Sequence, residues 1–472
     1  MADIYLTNSL TRQKEKFTAI NPPEVGMYTC GMTVYDYAHI GHGRKYVNDD
    51  ILKRVLTANG YTVKHVQNVT DVGHLVSDSD EGEDKLEKGA KKQGKTVWEV
   101  AEFFTKNFYD SMDKLNIIRP DVICKATDNI PEQIEMVKKL IDKGYAYDTP
   151  EAVYFDVTKF EKYGQAFGQK LEDKQTAVRA SVQEGEHKKH PQDFALWFKR
   201  IGRFADHAMH WESPWGDGFP GWHIECSAMS IKYLGDQIDI HTGGIEHMAV
   251  HHPNEIAQSE AATGKSPFVN YWIHCGHLMV DGTKMSKSLG NVYSVTDVME
   301  KGFDPLSLRY FYLTANYRKP LNFTWDALEA SQNALSKLKL QITNYKLQIS
   351  DRTVLSPEKE QQIEKYRNDF MSAMNDDLNT PMALAVVWEM LKSNIPSGDK
   401  YDLAMSFDEI LGLKLSEARN SAARLGVDIE IPNNIKILIS KREELRQQKK
   451  FEEADKIRDE IEALGFPVQD KK

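Results

Sequence analysis

The sequence predicts an α/β fold: a parallel-sheet domain interrupted by an inserted domain and followed by an α-helical C-terminal region. Three observations carry this. The chain opens with a strand–helix–strand pattern; strand texture returns after a differently patterned stretch at 121–220; and everything beyond residue 325 reads as helix.

Val25 to Cys30 reads as a short strand. After a glycine-containing loop, Val47, Ile51, Leu52, Val55 and Leu56 share one helical face. Gly60 suits the end of that helix, and "YTVKHVQNV" alternates as a second strand. A βαβ unit of this kind builds a parallel sheet, which binds ligands at the carboxyl ends of its strands. Residues 75–118 are charged and helical, a pattern that also fits a solvated face. From 121 to 220, "EAVYFDV", many lysines and the turn-rich "WESPWGDGFPGW" suggest an inserted domain. The sheet pattern resumes at "QIDIHTGG" and "FVNYWIHCGHLMV".

In the C-terminal part, Ser356-Pro357 and Thr380-Pro381 each read as an N-cap followed by proline at the first helical position. Leu328, Leu335, Leu338 and Ile342 are spaced for one buried face. A last helical hairpin, "NNIKILISKREELRQQKKFEEADKIRDEIEALG", closes on Gly465.

Bulk properties narrow the function. The 472 residues allow two to four domains. A 41% hydrophobic and 28% charged composition is ordinary for a soluble globular chain. No apolar run approaches the roughly 18 residues of a membrane span, and the N-terminus lacks a secretory pattern. Cys30, Cys124, Cys226 and Cys275 lie far apart without a C-x-x-C pair, so a reducing cytoplasm is expected and a disulfide framework is not. The net charge of -10 argues against a non-specific, phosphate-driven DNA binder. It leaves room for a local basic surface. Lys436, Lys441, Arg442, Arg446, Lys449 and Lys450 gather positive charge in the last segment, where a solvated helix face is the other reading.

Three motifs can carry chemistry. In "HIGHGR", His39 and His42 flank Gly41 where a strand hands over to a helix. The helix N-terminus offers unpaired N–H groups to phosphate, glycine lets a nucleotide come close, and imidazoles can donate to phosphate oxygens. Two histidines at this spacing also fit a plain surface turn. In "DGTKMSKSLGN", two lysines three apart, Lys284 and Lys287, sit between Gly282 and Gly290 and can close over a polyphosphate, or simply be exposed. A nearby "TGKS" only mimics a P-loop, because Ser259 stands where its first glycine is required. Third, Cys30, Cys226 in "GWHIECSAM", and His251 and Glu255 in "HHPNE" form a chemically sound zinc set; separately, each also fits packing or a turn. Pro253 is expected to begin a helix with His251 just before it and Glu255 in its first turn.

Together, "TVYDYAHIGHGR", "DFALW", "GWHIECSAMS", "HHPNEIAQSE" and "KMSKSLGN" closely resemble the cysteinyl-tRNA synthetase family of class I aminoacyl-tRNA synthetases. "DDLNTPMALAVVWEM" and "FEEADKIRDEIEALG" extend the resemblance over nearly the whole chain. It implies a Rossmann-like catalytic domain with an inserted connective domain, and an α-helical anticodon-binding region. The implied boundaries are 1–120 and 221–280 for the catalytic halves, 121–220 for the insert, and 281–325 for the KMSKS loop and stem-contact region. The helical bundle then spans 326–420 and a small C-terminal domain 421–472.

The resemblance implies ATP-dependent attachment of L-cysteine to tRNA(Cys). It implies one zinc ion on Cys30, Cys226, His251 and Glu255, and Mg²⁺ arriving with ATP. It puts His39, Gly41, His42, Lys284 and Lys287 at ATP, and Thr70, Trp222, His241 and Glu246 around the substrate. No membrane and a monomer are expected. There are departures. Met32 stands where relatives have proline, Glu246 takes the place of an aspartate, and the chain ends at "GFPVQDKK" without a tryptophan-containing tail. The competing readings are a cysteine ligase with a small-molecule acceptor, of the mycothiol-pathway type, and a non-catalytic RNA- or zinc-binding paralogue.

Overall fold

A computed structural model describes residues 2–72, 86–87, 90, 94–168, 187–286, 289–349, 355–417, 433–448 and 450–463. The chain divides into two compact units. One comprises 1–298 with 317–322 and 375–378; the other comprises 299–316, 323–374 and 379–472.

The first unit begins with a hairpin of β1 (Tyr5–Asn8) and β2 (Gln13–Lys16). Next come β3 (Glu24–Thr29), α1 (Ile40–Ala58), β4 (Thr62–Val69), α2 (Val97–Lys114) and β5 (Val122–Lys125). α3 (Ile130–Asp142) leads into β6 (Ala146–Asp148), β7 (Ala152–Phe155), β8 (Phe194–Lys199) and β9 (Gly218–Pro220). The chain returns through α4 (Trp222–Leu234), β10 (Ile238–Gly244), α5 (His251–Thr263) and β11 (Val269–Cys275). Short strands β12 (Leu278–Val280) and β13 (Thr283–Lys284) and helix α6 (Val295–Glu300) follow.

The main sheet has the order β11-β10-β3-β4-β5, and every pair is parallel. All seven residues of β10 are buried, as expected where crossover helices cover both faces of a parallel sheet. The chain moves outward from β3 through β4 to β5, then comes back to lay β10 on the opposite side of β3. The carboxyl ends of β3 and β10 therefore splay into a crevice, the usual ligand position in such sheets. The insertion supplies a separate antiparallel sheet, β6-β7-β8-β9, cored by Tyr154, Phe198, Phe204 and Phe219.

Two polar anchors complete this unit. Arg44 on α1 is buried and donates to the carbonyls of Gly276 (2.9 Å), His277 (2.7 Å) and Lys319 (2.6 Å), fastening the point where β11 leaves the sheet. Asp377 accepts from the backbone N–H and the hydroxyl of Thr7 (both 2.8 Å), from the Tyr317 hydroxyl (2.9 Å) and from Arg318 Nε (2.8 Å).

The second unit holds α7 (Pro305–Leu313), α8 (Trp325–Leu347), α9 (Pro357–Asn375), α10 (Thr380–Lys392), α11 (Ser397–Leu411), α12 (Asn433–Gln447) and α13 (Phe451–Ala463). Strand β14 (Leu321–Phe323) precedes α8. Leu328, Leu335, Leu338 and Ile342 are buried, as their spacing predicts. α9 begins at Pro357 as expected, whereas α10 is capped one residue earlier than expected. Asn379 accepts from the Met382 N–H (3.3 Å), which leaves Pro381 at the second helical position. Proline is tolerated there because first-turn N–H groups have no intrahelical acceptor.

In the terminal hairpin, Ile457 and Ile461 pack against Leu347, Leu438 and Leu445. Arg442 is buried and so leaves the basic surface read from the sequence. Lys449 and Gly465 lie outside the described residues. Among the described residues no helix is long and apolar enough to cross a membrane.

Candidate active site and metal centre

A cavity of about 380 Å³ opens at the crevice between β3 and β10. Cys30, His39, Gly41, His42, Thr70, Trp222, Cys226, Glu246, His251 and Lys284 contribute to its wall. Lys287 lies outside the described residues.

The two histidines of "HIGH" cap each other's backbone. His39 is the N-cap of α1, and its Nδ1 accepts from the His42 N–H (3.2 Å), while His42 Nδ1 accepts from the His39 N–H (3.2 Å). The rings stack 3.6 Å apart. With both Nδ1 atoms used as acceptors, a neutral ring carries its proton on Nε2 and presents a donor. Burial, then the neighbouring His39, hold His42 well below the usual imidazole range, so its donor is uncharged. Gly41 lies between them. A Cβ there would fall 2.5 Å from Met285 Cε and 3.0 Å from the His39 ring, so the missing side chain is the space that Met285 of the lysine loop fills. The far end of that loop returns to α1, where the Ile40 N–H donates to the Tyr293 carbonyl (2.8 Å).

The same helix holds the first cysteine. From its second turn, Lys45 Nζ (2.8 Å) and the Tyr46 hydroxyl (3.2 Å) donate to the Cys30 carbonyl. Gly31 follows, its N–H donating to Asn68 Oδ1 (2.7 Å), and Asn68 Nδ2 in turn donates to Thr70 Oγ1 (3.1 Å).

Behind these lies a buried cluster. α5 starts at His251, two residues before the expected first helical position, and Pro253 sits within its unpaired first turn. His251 and Glu255 are thus one turn apart on one face, with His251 Nε2 3.0 Å from Glu255 Oε1. Cys30 Sγ is 4.0 Å from Cys226 Sγ and 3.9 Å from Glu255 Oε1. All four donor atoms lie within 4.8 Å of one another. Zinc bonded at 2.0–2.3 Å would separate tetrahedral donors by about 3.3–3.8 Å, so small rotations bring this S₂NO set onto a metal.

The charges agree. Burial and the Glu255 carboxylate raise the Cys30 thiol, while Cys226 is raised by its contact with Cys30 and by burial. Burial alone would lower His251, but Glu255 and Cys226 outweigh it and push it up to about 10. Burial alone would raise Glu255, but His241 and His251 hold it far below the carboxylate range. A divalent cation in this pocket takes the place of protons on sulfur and nitrogen, so binding it releases protons.

His241 does not reach the cavity. It is fully buried behind Glu255, with Nε2 3.0 Å from Oε2, and its ring stacks on Trp272. Trp222 begins α4, and its ring centroid lies 4.3 Å from that of His251. Glu246 is exposed on the rim, 3.7 Å from His277 Nδ1. Sequence reasoning missed His252, whose Nε2 is 3.4 Å from Cys30 Sγ and whose Nδ1 is 2.7 Å from His274 Nε2. The doubled histidine in "HHPNE" was the available signal. His252 creates a second possible donor set, Cys30, His241, His252 and Glu255. Only Cys30 of that set faces the cavity, whereas three members of the first set do. A metal on the first set therefore has an open side toward the cavity.

A parallel-sheet crevice with a histidine-capped helix N-terminus and a lysine loop defines a class I tRNA synthetase, and the comparisons agree. The family model "tRNA synthetases class I (C) catalytic domain" matches residues 16–333, and a DALR domain matches 369–394. More narrowly, the chain belongs to the cysteine–tRNA ligase family and is an enzyme of that class. It is 43% identical to the "Cysteine--tRNA ligase" of Treponema denticola, with 99% of this chain and 97% of that protein covered. It is 39% identical to that of Thermus thermophilus, with 99% and 98% covered. Among solved structures, a LeuRS–tRNA–LeuAMS ternary complex from Agrobacterium radiobacter K84 shares the fold at TM-score 0.61, 13% identity and 88% and 86% coverage. Mycobacterium tuberculosis methionyl-tRNA synthetase bound by methionyl-adenylate does so at 0.56, 15% identity and 85% and 91% coverage.

Proposed function

We propose that this chain attaches L-cysteine to tRNA(Cys) through a cysteinyl-adenylate, and that Cys30, Cys226, His251 and Glu255 hold one zinc ion that selects the amino acid by its sulfur. The observation that carries this reading is the S₂NO donor set facing the same cavity as the paired histidines. When bound, zinc supplies a preference for thiolate over a neutral hydroxyl. That preference matters because a shape-based pocket separates cysteine from serine by only about 1–3 kcal/mol. Ten-thousandfold accuracy needs about 5.5 kcal/mol.

The chain's own residues position the rest. Thr70 and Trp222 frame the amino acid, Glu246 meets the polar groups of the substrate from the rim, and His241 acts through Glu255. His39 and His42 present Nε2 donors to the phosphates over the α1 N-terminus, and Lys284 and Lys287 balance polyphosphate charge. Mg²⁺ accompanies ATP. The carboxylate of cysteine attacks the α-phosphorus in line as the bond to pyrophosphate breaks. The terminal ribose hydroxyl of the tRNA, the 2′-hydroxyl by class habit, then attacks the acyl carbon and AMP leaves. Positioning and charge stabilisation dominate such transfers. A cytoplasmic monomer is the form this reading assumes.

The test joins metal analysis with ATP–pyrophosphate exchange and tRNA charging, each with cysteine and with serine. The expected result is one zinc per chain, a cysteine preference well above the roughly 200-fold that shape supplies, and charging of tRNA. Exchange without charging would favour the small-molecule acceptor, a reading that the DALR match and the full-length similarity to tRNA ligases weigh against. Absence of exchange would favour the non-catalytic paralogue.

Gly41→Ala provides a second check. Its methyl group takes the Met285 position, and the flexible methionine can yield. Exchange is therefore expected to fall by roughly tenfold, with thermal stability little changed, because about 1.4 kcal/mol of loop closure is lost. An unchanged KM and kcat for ATP would contradict this seating of the loop.

A further inference from the structure

We propose that exposed aromatic rings beside the cavity mouth form a stacking path for the single-stranded 3′ end of the acceptor RNA. The proposal rests on the reading that the chain charges tRNA. Tyr37 lines the cavity and is 50% exposed. Its ring meets Phe104 (5.2 Å, 89°) and Phe103 (6.1 Å, 82°) edge-on. Phe103, on α2, is itself 41% exposed, and Lys95 Nζ stands 4.7 Å from its centroid. Five residues earlier, and about 140° round α2 from Phe103, Trp98 is 49% exposed and meets Trp211 of the inserted region edge-on (6.3 Å, 88°).

Large rings that are half exposed and grouped beside a cavity mouth offer apolar surface to a ligand beyond what their packing on one another uses. Each edge-on contact covers a face of only one ring in the pair, and Lys95 stands over one face of Phe103, so the half-exposed surface left on Tyr37 and Phe103 is what a base can reach. Bases stack on such faces whatever their sequence, and a cation alongside suits the backbone phosphates. The occupant follows from the chemistry. Ester formation needs the terminal ribose inside the cavity, so the last unpaired nucleotides pass the mouth where Tyr37 stands. With a net charge of -10, the protein as a whole does not attract polyphosphate, so stacking on the rings would add to what local cations such as Lys95 supply.

The experiment compares Phe103→Ser and Phe103→Tyr with the unaltered chain in steady-state charging over a range of tRNA concentrations. Serine is expected to raise the KM for tRNA roughly tenfold, and tyrosine, which keeps the ring, to leave it within about twofold. Exchange without tRNA should fall much less than charging. In equilibrium binding, the deficit of the serine variant should vanish with tRNA trimmed of its unpaired 3′ nucleotides, since the two changes remove one interaction. If the serine variant does not fold, Phe103→Leu replaces it with the same expectation. An unchanged KM overturns the proposal. So does a deficit that persists with trimmed tRNA, which would assign the rings to a protein partner or to another part of the RNA. A chain that activates cysteine but charges no tRNA fails the underlying reading instead, and this proposal with it.

Discussion

Replacing Cys226 with serine is expected to strip the metal and erase most of the distinction between cysteine and serine. The Cys226 sulfur lies 4.0 Å from that of Cys30 and faces the cavity. A serine hydroxyl keeps nearly the same shape but stays protonated, so the donor set loses one negative charge. Even partners that only orient ligands cost 10–100-fold in metal affinity, and a ligand is expected to cost more than about a hundredfold. Cysteine-dependent exchange should fall at least as far. The cysteine-to-serine ratio should drop toward the roughly 10–200-fold that shape alone supplies. Glu255 still has His241 and His251 beside it, so the fold should survive, which a thermal melt will check. Full metal content or an unchanged ratio would remove sulfur recognition from the mechanism.

Gly31→Ala should be the most damaging single methyl group in the sheet domain. A Cβ at this position would lie 1.7 Å from the Asn68 carbonyl oxygen and 2.7 Å from its carbon. Both are backbone atoms, so no rotamer relieves the clash. The ends of β3 and β4 must part, breaking the Gly31-to-Asn68 hydrogen bond and shifting Cys30 on one side and Thr70 on the other. A cost of about 3 kcal/mol or more is expected, read as a lower melting temperature together with loss of zinc. A melt within about a degree of the unaltered chain would show that the strands part more easily than their geometry implies.

The unequal legibility of the sequence has physical causes. The βαβ unit and the helical face of Leu328, Leu335, Leu338 and Ile342 are visible because burial imposes a period on neighbouring residues. The position of β10 beside β3 is not visible. It rests on contacts such as Thr29 to Thr242, 213 residues apart, which leave no local pattern. His39 and His42 can be read as chemistry, yet their mutual capping cannot, since imidazole is not among the preferred caps. His251 and Glu255 were found at a proline-marked helix start. His252 was not, because adjacent helical residues ordinarily point to different sides. It reaches Cys30 from the first turn of α5, with its other ring nitrogen against His274 of β11.

The Asp377 anchor bears on how the polypeptide is made. Thr7, which it clasps, is 370 residues earlier. At about 5–20 residues per second, a ribosome takes roughly 20–75 s to bridge that interval. Throughout, the first strand is without its clasp. A gene fragment cut after residue 298 never acquires it, so minimal versions of the catalytic half should keep translation going through residue 378.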